Sequence, residues 1–307
     1  SLLGFVTPFL IGNGEGAATF SILQFNSVWD IPAVNYLSTY AGLRGANVAG
    51  TNHVLKLAFD AGAREFNYIS TTFVFGWARK STLYETDRND SMDRLDFGYS
   101  QSKWVAEQVV RDAARHGLRT RTFRPALITP SASGGGCSSF DIVIRLLAFM
   151  IKHGIAVDAL NQVSFVPVDV TANNIVAIAN QPDTIDRTFH VTRDEYANMV
   201  EVINIIHTRT GRTFEHFALR DFVPEVIRRC SRSDLLYPLL DFLIGSVENI
   251  SAMEFKRYDN SSYRRARAAT PWGRPDPSMD ETVGGILAFM QRLAIIEPPV
   301  ENLRHTP

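Results

Sequence analysis

The stretch YSQSKWVAEQVVRDAARHGLRTRTFRPALITP, residues 99–130, decides the fold. Residues 102–117 form an amphipathic run ending in Arg115, His116 and Gly117. Cations and a glycine are what a helix C-terminus favours, so the run predicts a helix. LRTRTFRPALITP (118–130) is a β-rich run stopped by prolines and predicts a strand. Upstream, REFNYISTTFVFG (64–76) has the pattern of a buried strand ending in glycine. Before it, NVAGTNHVLKLAFDAG (47–62) sets Val48, Val54, Leu55, Leu57 and Ala58 on one helical face, with Gly62 as the stop. Helix, strand, helix and strand in units of this size predict a parallel sheet covered on both faces.

Beyond residue 160 the rhythm continues less regularly. FVPVDVTANNIVAIAN (165–180) predicts a short strand and a helix, RTFHVT (187–192) a strand, and MVEVINIIHTRTG (199–211) a helix. Residues 220–275 read as a helical lobe, and the tail after Ile296 as a fraying end. The division expected is a sheet domain over 1–160, with 161–307 completing the sheet and forming a smaller, mainly helical C-terminal lobe for substrate.

The bulk composition excludes several classes of function. The chain has 307 residues, 45% apolar and 21% charged, with a formal net charge of −1. Near-neutral charge gives no electrostatic reason to expect nucleic acid or an anionic membrane as partner. The apolar start SLLGFVTPFLI and the segment DLLYPLLDFLI (234–244) are too short to span a bilayer, so no membrane segment is expected. Cys137 and Cys230 make no disulfide framework and no metal cluster. They read as reduced thiols in a cytoplasmic setting.

Tyr99 and Lys103 stand four apart, one turn along the same helical face. A free phenol has a pKa near 10 and is a sluggish proton donor at neutral pH. An ammonium within about 4–6 Å favours phenolate and lowers that value by roughly 1–3 units. The pairing yields a proton carrier tuned toward working pH, as general acid catalysis requires.

The neighbours of this pair carry a family resemblance. YSQSK (99–103) follows a strand bearing Ser70-Thr71-Thr72 and precedes a strand bearing Arg124-Pro125, with Asn47-Val48-x-Gly50-Thr51 upstream. This ordered set resembles the extended short-chain dehydrogenase/reductases, which implies a Rossmann-like doubly wound α/β fold. The longer wording of AVNYLSTYAGLRGANVAGTNHVLKLA (33–58), FNYISTTFVFG (66–76), YSQSKWVAEQVV (99–110), RTFRPALI (121–128), Asp141 with Arg145, and FVPVDVTANNIV (165–176) is similar to one group within them. That group is the thioester reductase domains ending nonribosomal peptide synthetases, some polyketide synthases and carboxylic acid reductases. The similarity runs from about residue 33 to about 192.

The resemblance implies NADPH as cofactor and, as partner, a carrier protein presenting an acyl or peptidyl thioester on phosphopantetheine. Tyr99 would be the proton donor, with Lys103 holding the nicotinamide ribose and depressing the tyrosine pKa. Thr71 would hydrogen-bond the reacting oxygen, and Asn47 would take a structural or relay role. Ser70 and Pro125 would lie beside the cofactor, although Ala126 replaces the glycine common next to that proline. Two other readings stay open: an extended reductase or epimerase acting on a free small molecule or nucleotide sugar, and a non-reducing, nucleotide-binding or Dieckmann-cyclising relative.

The first 46 residues depart from the pattern. A Rossmann half needs roughly 60 residues before its fourth strand, from strands of about 5–6, helices of about 11–12 and loops of about 4–6 residues. The family's glycine-rich phosphate turn survives only as Gly4-Phe5-Val6, with Thr7 where a third glycine would stand. If loops are missing at Leu3–Gly4 and Ile31–Pro32, the Cα spacing there would far exceed the 3.8 Å of a trans peptide. Gly12, Gly14 and Gly16 read as a flexible loop, not a dinucleotide cradle. SASGGGCSS (131–139) and its Cys137 read as a small-residue loop, His190 as structural, and KRYDNSSYRRARAA (256–269) as a solvated helix face.

Overall fold

A computed structural model describes residues 7–13, 17–24, 27–31, 37–89, 91–92, 95–137, 141–252 and 256–297. Strands β1 (Thr7–Asn13), β2 (Ala17–Gln24) and β3 (Ser27–Ile31) lead to helices α1 (Tyr40–Leu43) and α2 (Gly50–Asp60). Then come β4 (Glu65–Ile69), β5 (Thr82–Leu83), α3 (Gly98–Arg115), β6 (Arg119–Pro125) and β7 (Leu127–Thr129). They are followed by α4 (Ile142–His153), β8 (Ile155–Asp158), β9 (Phe165–Pro167), α5 (Val168–Ala179), β10 (Arg187–Val191) and α6 (Met199–Thr210). Last are β11 (Glu215–Ala218), α7 (Leu219–Arg229), α8 (Leu240–Ser251), β12 (Arg257–Tyr258), α9 (Ser261–Ala268) and α10 (Met279–Arg292).

The chain folds into two compact units. The first combines residues 1–126, 171–194 and 257–274; the second combines 127–170, 195–256 and 275–307. The first unit holds a six-stranded sheet in the order β1-β2-β3-β4-β6-β10. From β3 onward every neighbour is parallel, with Asp30 beside Tyr68, Tyr68 beside Thr122 and Thr122 beside Thr188. One face is covered by α2 and α3, whose Val54, Leu55, Ala58, Ala106 and Val110 pack with Val28, Phe66 and Tyr68. On the other face, Ile175 and Ile178 of α5 and Tyr263 and Ala266 of α9 pack with Phe123 and Phe189. Helices on both faces of a parallel sheet are the Rossmann-like arrangement that the helix–strand rhythm predicts.

Several boundaries differ from the sequence reading. The strand expected over 64–76 stops at Ile69 because Thr71 caps a 3₁₀ turn, Thr72–Phe75, and Gly76 closes it at φ +47°. The helix expected from residue 47 begins earlier, as a π-helical stretch Arg44–Ala49 running into α2. The expected strand 118–130 divides at Ala126 into β6 and β7, which join different sheets.

At the N-terminus, β1, β2 and β3 form an antiparallel meander, so residues 11–13, expected in a loop, pair with 17–19 instead. Leu3, Gly4, Phe5, Val6 and Pro32, where the phosphate turn and the missing loops were expected, lie outside the described residues.

The second unit contains the parallel pairs β7–β9 and β8–β11. Around them, Ile144, Leu147 and Met150 of α4, Val202 and Ile206 of α6, and Val283, Ile286 and Met290 of α10 are buried. Among the described residues no helix is long and apolar enough to cross a membrane, and no group of His, Cys, Asp or Glu is placed to hold a metal ion.

Candidate active site

β4 ends at Ile69, and the backbone continues extended through Ser70, whose N–H donates to the Phe123 carbonyl at 2.7 Å. Thr71 is also extended, at φ −162°, and its hydroxyl oxygen accepts the Phe73 N–H at 3.2 Å. That cap uses the oxygen as acceptor and leaves the hydroxyl hydrogen for another partner. The turn it starts carries Phe73 to the edge of the Tyr99 ring, with centroids 6.4 Å apart, while Phe97 stacks on the same ring at 6.4 Å. Tyr99 sits in the first turn of α3 and is buried.

One turn later, the Lys103 ammonium donates to the Ile69 carbonyl at 2.5 Å and lies 5.2 Å from the Tyr68 ring centroid. Asn47 Nδ2 donates to the Ser102 hydroxyl at 2.9 Å, and Ser102 in turn donates to the Tyr99 carbonyl at 2.8 Å. The π-helical stretch that carries Asn47 is thereby tied to α3; such stretches recur at functional sites. Thr71, Tyr99, Lys103 and Asn47 therefore converge at the C-terminal end of β4 and the N-terminal half of α3. In open α/β sheets that end of the strands is where ligands bind.

Of the residues expected beside a cofactor, Pro125 closes β6 and is buried. The Ser70 hydroxyl donates to Glu107 Oε1 at 2.5 Å. Gly4, Phe5 and Val6 lie outside the described residues.

Glu107 and its partners escaped the sequence reading. Its Oε1 accepts from Arg124 Nε at 2.9 Å, and its Oε2 from Arg124 Nη2 and Arg111 Nη2, both at 2.8 Å. Burial pushes the Glu107 carboxyl up, but the Arg124 fork, Arg111 and Ser70 outweigh it and hold it below the usual carboxylate range. Arg124 Nη1 also meets His190 Nε2 at 3.4 Å, while His190 Nδ1 lies 2.8 Å from the Asp259 carbonyl. A guanidinium has no acceptor, so Nε2 must accept and Nδ1–H must donate. Burial, and then Arg124, push His190 down to about 3, so the imidazole is neutral and structural at working pH. The signal that points to Glu107 is its spacing: Tyr99, Lys103, Glu107 and Arg111 recur every fourth residue on one face of α3.

Asp30 was missed as well. It is 0% exposed, and among the described residues neither carboxylate oxygen has a hydrogen-bond partner. Burial raises it to about 6, only partly offset by the nearby Thr51 hydroxyl and by Lys103. Thr51 donates its hydrogen to the Asn47 carbonyl at 2.6 Å, so its influence on Asp30 is that of a nearby dipole and not of a hydrogen bond. Burial likewise lowers Lys103 to about 7, against the opposing pull of Asp30 and then Glu107. The Tyr68 phenol, fully buried, is pushed well above its ordinary value by desolvation and by Asp30. A separate groove of about 370 Å³, lined by Leu55, Phe59, Val109 and His116, lies toward the C-terminal ends of α2 and α3, away from Tyr99.

A buried phenol and a buried ammonium thus stand one turn apart at the C-terminal ends of the parallel strands of a Rossmann-like sheet. The chain belongs to the NAD-binding family described as Male sterility protein, whose model matches residues 20–175. It is 28% identical over 213 residues to a linear gramicidin synthase polypeptide of Brevibacillus parabrevis, covering 68% of this chain and 4% of that one. It is 27% identical over 303 residues to L-2-aminoadipate reductase of Saccharomyces cerevisiae, covering 88% of this chain and 21% of that one. Among solved structures it resembles the terminal R domain from the myxalamid PKS-NRPS biosynthetic pathway, with TM-score 0.78 and 26% identity over 87% of this chain and 67% of that one. The chain thus spans about a fifth or less of the length of these two curated relatives.

Proposed function

We propose that the chain reduces an acyl or peptidyl thioester held on the phosphopantetheine arm of a carrier protein, releasing the acyl group as an aldehyde. NADPH is the proposed cofactor and, when bound, supplies the hydride that adds to the thioester carbonyl carbon. Negative charge then gathers on the carbonyl oxygen. Tyr99 donates a hydrogen bond and then its proton there, and Thr71 contributes the hydroxyl hydrogen that its capping role leaves over. Each such preset donor contributes about 2.7–4 kcal/mol to stabilising that charge.

The resulting thiohemiacetal loses its C–S bond as the hydroxyl proton passes to sulfur, giving free thiol and aldehyde. The same residues serve a second reduction of the aldehyde to the alcohol. Lys103, bonded to one carbonyl through one of its three ammonium hydrogens, has two left for ribose hydroxyls. That donor set fits a nicotinamide nucleoside. Asn47 holds the π-helical stretch against α3 and so fixes where Tyr99 stands. The reading places the enzyme in the cytoplasm, where both cysteines stay reduced.

The observation that carries the proposal is the placement of the Lys103 ammonium. It is buried, yet tethered to the last carbonyl of β4, one turn of α3 beyond Tyr99. The likeness of the chain to a terminal R domain and to L-2-aminoadipate reductase supports the substrate class. The test follows NADPH oxidation with a carrier-tethered acyl thioester and identifies the product by mass. Tyr99→Phe keeps the ring and its aromatic neighbours but removes the proton. Its turnover is expected to fall by about 10²–10³, with NADPH binding nearly intact. Near-normal reduction by Tyr99→Phe would defeat the assignment.

A further inference from the structure

We propose that Asp30 is a positioning residue for Lys103, the buried counter-charge that keeps the lysine an ammonium in a site closed to water. Asp30 is the register partner of Tyr68 across the parallel β3–β4 pair, and the Tyr68 ring is the one the ammonium lies over. Val28 precedes Asp30 by two residues and packs into the α2–α3 face of the sheet, so strand alternation turns Asp30 toward that same face. Asp30 is 0% exposed and Lys103 1%, so neither charge is screened by solvent. Among the described residues, both oxygens of Asp30 lack a hydrogen-bond partner, and the Lys103 ammonium has the Ile69 carbonyl and the Tyr68 ring.

An isolated carboxylate buried this way is costly unless a cation lies within electrostatic reach. The two groups are oppositely charged and buried, and both are placed against Tyr68, Asp30 as its register partner and Lys103 over its ring. Among the described residues, the other titratable groups around Lys103 are Tyr99 and Glu107 on α3 and Tyr68 on β4. Glu107 is already held by Arg124 and Arg111, and Arg124 also meets neutral His190. Phenols carry no charge at neutral pH unless a cation draws the proton off. That leaves Asp30 as the carboxylate not already spent on another cation, and it ranks ahead of Glu107 in supporting the lysine charge.

The catalytic consequence rests on the reduction proposed above, because a neutral Lys103 neither sharpens Tyr99 nor keeps two hydrogens free for a ribose. The pairing itself does not depend on that reading. In [ε-¹³C]lysine-labelled full chain, the Lys103 resonance is assigned by its loss in Lys103→Arg and followed against pH. Asp30→Asn is expected to lower its midpoint by about one pH unit or more, a tenfold change in the charged fraction, and Asp30→Glu to restore most of it. The alkaline limb of kcat/KM should move down by the same interval.

An unmoved Lys103 midpoint in folded Asp30→Asn overturns the proposal. Should that variant not fold, the reciprocal measurement decides. The Asp30 ¹³Cγ midpoint must rise in Lys103→Met relative to the native chain, and an unchanged value overturns the proposal equally. Shifted midpoints in a chain that reduces no carrier-bound thioester would leave the charge pairing standing and remove the proposed reaction. Reduction with unshifted midpoints would do the opposite.

Discussion

Replacing Glu107 by alanine tests how the reactive end of α3 is held. Glu107 is 2% exposed and Arg124 1%, and the two form a forked pair at 2.9 and 2.8 Å. Without the carboxylate, Arg124 keeps, among the described residues, the Asp87 carbonyl at 3.3 Å, His190 at 3.4 Å and the face of Phe75 at 4.8 Å. None of these carries a negative charge. Removing one partner of a buried pair in this way costs about 3–5 kcal/mol, because the remaining charge is left in low dielectric. The exposed Lys56–Asp60 pair, also on a helix and at 2.6 Å, is the control, and Asp60→Ala there should cost no more than about 0.5 kcal/mol.

The assay is urea denaturation followed by tryptophan fluorescence. Trp29, Trp77, Trp104 and Trp272 all belong to the unit that contains the site, so the signal reports on that unit. Glu107→Met combined with Arg124→Met should lose far less than the sum of the single changes, since neither member of the pair is left as a lone buried charge. The pH dependence has a definite sign. Glu107 is depressed in the folded state, so its contribution is complete above the ordinary glutamate range and fades as pH falls through the folded value. A loss below about 1 kcal/mol for Glu107→Ala at neutral pH, or a gap from the native chain that widens on acidification, would refute this account of the network.

Two further changes probe the supports around the site and the second unit. Gly98→Ala would put a Cβ into the backbone of Ser38, Thr39 and Tyr40, which cannot swing aside as a side chain could. A loss of at least about 2 kcal/mol is expected in the same denaturation assay, with reduction impaired because Tyr99 is the next residue; a loss under half that would show the backbone yields. Asp141 caps α4 through the Val143 N–H at 2.8 Å, yet burial raises it to about 6. A raised carboxyl binds its proton more tightly when folded, so native stability drops as pH rises from about 4 to about 6. Asp141→Asn keeps the cap and should gain about 1–2 kcal/mol on the native chain across that interval, measured by calorimetry at both ends; an advantage independent of pH would remove the burial argument.

The fold was legible where periodicity and punctuation agree. The apolar periodicity of α2, the cation–glycine end of α3 and the proline closing β6 each have a local cause, and each element formed, although Leu57, expected on the apolar face of α2, is exposed. The strand over 64–76 ends early because a β-rich run hides a cap. Thr71 turns its oxygen onto the Phe73 N–H, and the side chain there outcompetes the ladder. The N-terminal meander was legible in principle, since two apolar runs separated by a glycine-rich break are a hairpin signal. It was obscured by the expectation of a phosphate turn.

Glu107 and Asp30 are harder cases, for different reasons. The four-residue stripe on α3 announces that Glu107 shares a face with Lys103, but not that the face is buried. That depends on Arg124, which arrives from β6 only once the sheet has formed. In SVWDI, alternation puts Val28 and Asp30 on one face, and a carboxylate on a face argues that it is solvated. What reverses the inference is a cation from 73 positions further along, over the ring of the neighbouring strand. A buried charge is legible only from its partner, and the partner here lies beyond two helices and two strands. The tyrosine–lysine spacing points to a candidate site and says nothing of what keeps the lysine charged. If Asp30 does so, altering it should act on the titration of Lys103 more than on any property of β3 itself.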